Sequence, residues 1–308
     1  MKVLVTGSSG FFGASLVKKL MLDGYDVALF QRNKLEPILG TKNFQGDILD
    51  VASVNHAIKK LQPDIIYHLA AQSSPKYSWD DPKSTMQTNI EGTINILNSI
   101  KSYSNHSKLV MVSSSAVYGE HPLGSALIET DILNPVSPYG LSKLSAEIIC
   151  QLYIKQFGIE CVIVRPFFII GPYKTGDVCS EWAKQIVRIE NGSNEHLQVG
   201  NLDVVRDFMH ISDAVDALIM VGDRALTDQV FNISTARGVS LRVVLDAFLN
   251  LANSKVRVEE KCRQPNINEE LVKIGANERI KSLGWSEILN YETALNDILE
   301  HWRLEFKK

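Results

Sequence analysis

The sequence is short of several things at once. Its 308 residues hold four cysteines, Cys150, Cys161, Cys179 and Cys262, and none stands in C-x-x-C spacing. Without that spacing they read as reduced packing residues in a reducing compartment, which points to the cytoplasm. The seven histidines form no H-x-x-x-H or His/Cys pair, so no metal site is expected. Only three apolar residues, Val3 to Val5, precede Thr6-Gly7, too few for the core of a signal peptide. No apolar run approaches a membrane span. A formal net charge of −3 with no basic run argues against nucleic acid and against a membrane surface. Repeats and low-complexity tracts are missing too. At about 150 residues per domain, the length suggests two domains or one with a large lobe.

What is present is alternation. Apolar strand signals at 2–7, 25–32, 64–71, 108–112 and 159–166 are separated by helical segments at 12–24, 51–62, 82–103 and 137–158. A short strand and turn is read at 43–50. Strands that alternate with helices form a parallel sheet, and near-continuous apolar strands fit a sheet covered on both faces. The fold expected is α/β, a Rossmann-type doubly wound parallel sheet with a smaller, mixed α/β C-terminal lobe. Residues 1–166 are assigned to a dinucleotide-binding domain, with a helix returning near 210–225. Residues 167–308 are assigned mainly to a substrate lobe. The stretch 188–208 reads as a hairpin-rich insertion.

Three motifs carry chemistry. Gly7, Gly10 and Gly13 follow the first strand and open a helix. Glycines there permit a tight turn and close approach to a pyrophosphate, and the helix amino end supplies donors and a positive dipole end. The second strand ends in Phe30-Gln31-Arg32, with no carboxylate for a ribose 2′-hydroxyl. Arg32 is a cation that can pair with a 2′-phosphate, so NADP(H) is preferred over NAD(H). The bland alternative is a solvated loop residue. The third motif is Ser113-Ser114-Ser115, at the end of a strand and just before Tyr118, which reads as exposed. Serines at a strand end are ordinary turn formers. Yet the following helix carries Tyr139 and Lys143 at i, i+4 spacing, on one face. The lysine charge is expected to draw the tyrosine's pKa down from about 10. A tyrosine so tuned exchanges a proton with a carbonyl or alcohol oxygen that a serine hydroxyl can hold. His68 and His210 read as structural residues.

The segments TGSSGFFG, GDILD, HLAAQSS, TNIEGTINIL, SSSAVYG, SPYGLSK, RPFFIIGP and GNLDVVRDFMHISDAV together resemble the extended short-chain dehydrogenases/reductases that act on nucleotide sugars. That resemblance implies a catalytic set of Ser114, Tyr139 and Lys143. It implies a cofactor set of Gly7, Gly10, Phe11, Phe12, Gly13, Arg32, Asp47, Ile48, Leu69, Ala70, Ala71, Gln72, Asn89 and Lys143. It implies substrate contacts at Ser73, Ser115, Tyr139, Asn201, Arg206 and Arg263. For Arg206 the alternative is an interlobe salt bridge with Asp207 or Asp213. Within the superfamily the chain is most similar to reductases of GDP-4-keto-6-deoxymannose. Sugar dehydratases place an acidic residue just after the catalytic hydroxyl. Here Ser115 and Ala116 stand in those positions, and neither is an acid or base near neutral pH. The runner-up is a nucleotide-sugar 4-epimerase with tightly bound NAD. A non-catalytic scaffold is disfavoured by the intact Ser-Tyr-Lys set. The helices at 82–103 and 138–157 carry apolar positions beyond those one sheet contact needs, Met86, Ile90, Ile94 and Leu97 on the first and a ridge of Leu144, Ile148, Leu152 and Lys155 with Ile149 and Tyr153 beside it on the second; with the resemblance, they imply a homodimer through these helices, the alternative being intrachain core.

Overall fold

A computed structural model describes residues 1–32, 38, 40–119, 125–260 and 270–307. In chain order the first part runs β1 (Lys2–Thr6), α1 (Phe11–Leu22), β2 (Asp26–Gln31), β3 (Lys42–Gln45), α2 (Val51–Leu61) and β4 (Ile65–His68). It continues with α3 (Pro75–Asp80), α4 (Pro82–Met86), α5 (Gly92–Tyr103), β5 (Lys108–Val112), α6 (Pro138–Phe157) and β6 (Cys161–Pro166). The second part holds β7 (Phe168–Ile170), α7 (Val178–Glu190), β8 (Leu197–Val199), β9 (Val205–Arg206), β10 (Phe208–His210), α8 (Ile211–Arg224) and β11 (Val230–Ile233). Then come β12 (Val239–Ser240), α9 (Leu241–Leu251), β13 (Val258–Glu260), β14 (Val272–Lys273), α10 (Glu278–Ser282) and α11 (Tyr291–Phe306).

Seven strands form one sheet in the order β11-β6-β5-β4-β1-β2-β3, every pair parallel. The chain leaves β1 in one direction and returns on its other side at β4. That reversal opens a crevice at the carboxyl ends of β1 and β4, where open α/β sheets bind ligands. The two faces are visible in β1 itself. Val3 and Val5 pack with Leu16, Leu20 and Leu218. Leu4, between them, packs with Ile58, Ile66 and Ile100 on the other face. A third cluster around Trp182, Ile186, Phe248 and Leu295 forms the core of the C-terminal lobe. The lobes share chain, because α8 returns to the sheet face and β11 extends the sheet edge beside β6.

Three readings of the sequence are corrected. The helix at 82–103 is interrupted by a π-helical turn at Gln87–Glu91; hydropathy shows apolar spacing but not the extra residue that such a turn absorbs. The stretch 188–208 contains no hairpin. Its strands pair with distant segments, β8 with β13, β9 with β12 and β14, and β10 with β7. Short strands without turn chemistry between them leave their partners to tertiary structure. Tyr118 is buried, and its hydroxyl donates to Asn232 Oδ1 at 2.6 Å.

Arg165, on β6, reaches the same hydroxyl at 2.9 Å and holds Glu147 of α6 at 2.7 Å, both charges being buried. This ion pair fixes α6 against the sheet. Removing one partner strands the other in the interior, at a cost of about 3–5 kcal/mol. Arg165→Met is therefore expected to lower unfolding free energy by about that amount in denaturant titration. The double variant Arg165→Met/Glu147→Leu is expected to recover most of the loss. A single variant as stable as wild type would remove the pair from the account of the fold.

Candidate active site

Helix α6 is placed by its own ends. Ser137 Oγ accepts from Gly140 N at 3.1 Å, Pro138 occupies the first turn, and Gly158, at φ +67°, closes the helix. Tyr139 and Lys143 then face the carboxyl end of β5. Lys143 Nζ donates to the carbonyl of Val112, the last residue of β5, at 2.8 Å. The next residues are Ser113 and Ser114. Ser114 starts a short 3-10 turn with its side chain accepting from Ala116 N at 3.1 Å, and it also hydrogen-bonds Tyr139. The serine is thus both a strand-end cap and a partner of the tyrosine. Ser113 Oγ is buried without a hydrogen-bond partner.

Electrostatics differ from the expectation in one respect. Burial pushes the Tyr139 phenol up, and the opposing pull comes from the Ser114 hydrogen bond rather than from Lys143. Burial pushes the Lys143 ammonium down to about 8, while Glu147, one turn along, and Cys150 pull it back up. His68 is pushed down to about 3, by burial first and by Lys143 second. It is a neutral structural residue that bridges Thr6 Oγ1 at 2.8 Å and Thr93 Oγ1 at 3.2 Å. His210 is likewise structural, its Nδ1 accepting from Ser212 N at 3.0 Å.

The glycine turn lies at the carboxyl end of β1. Gly7 has φ +69°, and a Cβ there would lie 2.7 Å from Ala70 N. A Cβ on Gly13 would lie 2.2 Å from the Gly7 carbonyl oxygen. Both glycines are needed to close the turn onto β4. Gly10 precedes α1 with no side-chain cap, so the helix amino end keeps donors to offer. Phe11 and Phe12 are half-buried against the core. Leu69, Ala70, Ala71 and Gln72 extend past β4 beside the turn, with Leu69 N donating to Thr6 O and Ala70 N to Thr6 Oγ1. Ser73 is exposed beyond them.

Asn89 lies on the π-helical turn and is fully engaged. It accepts from Gln72 N at 2.8 Å and donates to Gln72 O at 3.0 Å and Ser142 Oγ at 2.8 Å. It ties the segment after β4 to the residue beside Lys143. Asp47 Oδ1 accepts from Leu49 N at 2.9 Å, and Ile48 is buried against Gly92. Arg32 is exposed at the end of β2. Gln31 before it accepts from Ser8 Oγ at 3.2 Å, a link between the glycine turn and β2 that spacing alone does not reveal.

An open helix amino end over a glycine turn, a buried ammonium with one protein acceptor, and an unpartnered Ser113 hydroxyl suit the pyrophosphate, ribose and carboxamide of a nicotinamide dinucleotide. Residues Gly10 to Phe12 would hold the pyrophosphate, and Lys143 the ribose.

On the substrate side, Ser115 is half-buried, one residue past Ser114. Asn201 borders a cavity of the C-terminal lobe. Arg206 donates to the carbonyls of Val205 at 2.9 Å and Glu270 at 2.8 Å. The carboxylates suggested for it have other bonds, Asp207 to Thr235, Ala236 and Gly275, and Asp213 to Ile288 and Leu289. Arg263 lies outside the described residues. Among the described residues, no group of three or more His, Cys, Asp or Glu is placed to hold a metal ion, and no helix is long and apolar enough to cross a membrane.

Residues 4–297 match the family described as GDP-mannose 4,6 dehydratase. GDP-6-deoxy-D-mannose reductase of Pseudomonas aeruginosa is 28% identical over 306 residues, covering 98% of this chain and 97% of that one. Two solved structures superpose over nearly the whole chain. RMD from Pseudomonas aeruginosa, complexed with NADPH, has a TM-score of 0.87 at 28% identity and covers 99% of each chain. UDP-glucose 4-epimerase of Thermus thermophilus, complexed with NAD, has a TM-score of 0.89 at 25% identity and covers 98% of this chain and 99% of that one. The chain belongs to the GDP-mannose 4,6 dehydratase family, oxidoreductases of the extended short-chain dehydrogenase/reductase, nucleotide-sugar type.

Proposed function

We propose that the protein is an NADP(H)-dependent reductase of a nucleotide-linked 4-keto-6-deoxyhexose, with GDP-4-keto-6-deoxymannose as its substrate. The observation that carries the reading is the meeting of Ser114, Tyr139 and Lys143 at the end of β5, beside the glycine turn. The full-length likeness to a GDP-6-deoxy-D-mannose reductase supports it. When bound, the nicotinamide supplies the hydride that reduces the sugar C4 carbonyl.

The chain's own residues handle the oxygen. The Ser114 hydroxyl orients it, and Tyr139 gives it a proton. A phenol held above its ordinary pKa by burial is fully protonated near neutrality, as a proton donor must be. Lys143, held on the Val112 carbonyl, would supply positive charge to the ribose of a bound cofactor. No carboxylate stands at 115 or 116 for the proton transfers of water elimination, which argues against dehydration despite the family's description. Arg32, exposed at the end of β2, supports NADP(H). The second reading is a 4-epimerase with tightly held NAD, favoured by the likeness to the Thermus thermophilus epimerase structure. Leu141, Ile148 and Leu152 leave an apolar face of α6 exposed, which supports a homodimer through this helix. Leu97, placed on the matching ridge, instead belongs to the core.

Mass spectrometry of GDP- and dTDP-linked 4-keto-6-deoxyhexoses incubated with NADPH is expected to show two hydrogens gained, on the GDP sugar by preference. Tyr139→Phe is expected to give no product while still binding NADPH, and Arg32→Ala to raise KM for NADPH but not NADH. Chromatographic detection of the C4 epimer of a nucleotide-linked 4-hydroxyhexose, formed without added cofactor, would replace this reading with the second. Affinity for NADPH is expected to be flat below about pH 8 and to weaken above it, as Lys143 loses its proton. Lys143→Met should be weaker throughout and lack that break; an unchanged break would assign it to another group. Sedimentation equilibrium is expected to give twice the chain mass, and a monomer at micromolar concentration would refute the dimer.

A further inference from the structure

The end of β2 carries a second polar feature besides Arg32. Gln31, the last residue of that strand, is 8% exposed, and Ser8, inside the glycine turn, is 4% exposed. The Ser8 hydroxyl donates to Gln31 Oε1 at 3.2 Å, bridging the neighbouring strands β1 and β2 at their carboxyl ends. On the other side β2 is held by β3, where Gln31 stands opposite Gln45 and its carbonyl accepts from Gly46 N at 3.0 Å. Gln45 Nε2 also donates to the Arg32 carbonyl at 3.3 Å. The backbone of both residues is therefore fixed by β3, and the Gln31 side chain by Ser8.

This hydrogen bond decides which end of the amide is left over. A glutamine amide has an acceptor oxygen at one end and a donor NH2 group at the other. With the oxygen taken by Ser8, the remaining end is Nε2, which has no hydrogen-bond partner among the described residues. An almost fully buried side chain thus keeps a donor in reserve beside the glycine turn.

Position gives that donor its meaning. A dinucleotide laid on the glycine turn puts its adenosine ribose at the carboxyl end of the second strand. A 2′-hydroxyl there is matched by a carboxylate, which can only accept. A 2′-phosphate is a charged acceptor, matched by donors and cations. Resting on the nicotinamide-dinucleotide reading above, we propose that Ser8 is a positioning residue for cofactor choice. By holding Gln31 Oε1 it aims the Gln31 amide donor at the 2′-phosphate of NADP(H), beside the Arg32 guanidinium. Without Ser8 the amide can turn over and offer its oxygen, which repels a phosphate and accepts from a 2′-hydroxyl.

Binding titrations of the full chain with 2′,5′-ADP and 5′-AMP test it, because the two probes differ only in the 2′-phosphate. Wild type is expected to bind 2′,5′-ADP more tightly. Gln31→Leu is expected to lower the ratio of the two affinities about ten- to a hundredfold, the range for a hydrogen bond to a charged group. Ser8→Ala is expected to lower the same ratio by a smaller factor, and to have no further effect on it once Gln31 is leucine. A merely structural role in the turn would weaken both probes equally and leave the ratio alone. An unchanged ratio in either single variant, or a further fall from Ser8→Ala in the Gln31→Leu background, would overturn the proposal and leave the dinucleotide reading standing. Equal affinities in wild type would overturn the proposal together with the preference for NADP(H), and binding of neither probe would overturn the dinucleotide reading as well.

Discussion

The site depends on one buried contact, the Lys143 ammonium on the Val112 carbonyl at 2.8 Å. It joins the first turns of α6 to the end of β5, so it sets both the distance of Tyr139 from Ser114 and the place where an oxygen can be held. A buried ammonium is costly unless other charges support it. Glu147 supplies that support one turn along the helix, and Arg165 fixes Glu147 from β6. Tyr118 and Asn232 then tie Arg165 to β11. The chain of contacts explains why the last strand of the sheet comes from beyond the first lobe. Without β11, the Asn232 that anchors this network would be missing.

A second set of contacts holds the segment after β4. The Asn89 side chain spends its hydrogen bonds on Gln72 and Ser142, so it acts on the site through the backbone it positions. The π-helical turn gives it that reach, since an extra residue in the turn redirects one side chain without ending the helix. Gly7 and Gly13 serve the same geometry by letting the turn close onto Ala70. Their role in the turn is steric, and the open amino end of α1 is a consequence of the turn they permit.

The two lobes are held by separate cores. The parallel sheet fixes the reacting groups at strand ends, where backbone pairing makes them rigid. A cavity of the C-terminal lobe is bordered by α7, β8 and α9, elements held by their own core around Trp182 and Phe248. A reductase and an epimerase share this two-lobed architecture with the chain at similar identity.

By itself the sequence determined the doubly wound sheet, the glycine turn, and the placement of Tyr139 and Lys143 on one helical face. These follow from periodicity of 2 and 3.6 residues and from local turn chemistry, which act over a few residues. It did not reveal that Tyr118 is buried, because an aromatic beside serines has the same local pattern whether or not an arginine 47 residues away covers it. It placed Lys143 beside Tyr139 but misjudged the electrostatics, since desolvation is a property of the surrounding three-dimensional shell. The pairing of the short strands after Pro166 and the return of β11 were decided by tertiary structure alone. Each depends on segments distant in sequence, and only the folded chain shows which polar groups have found partners.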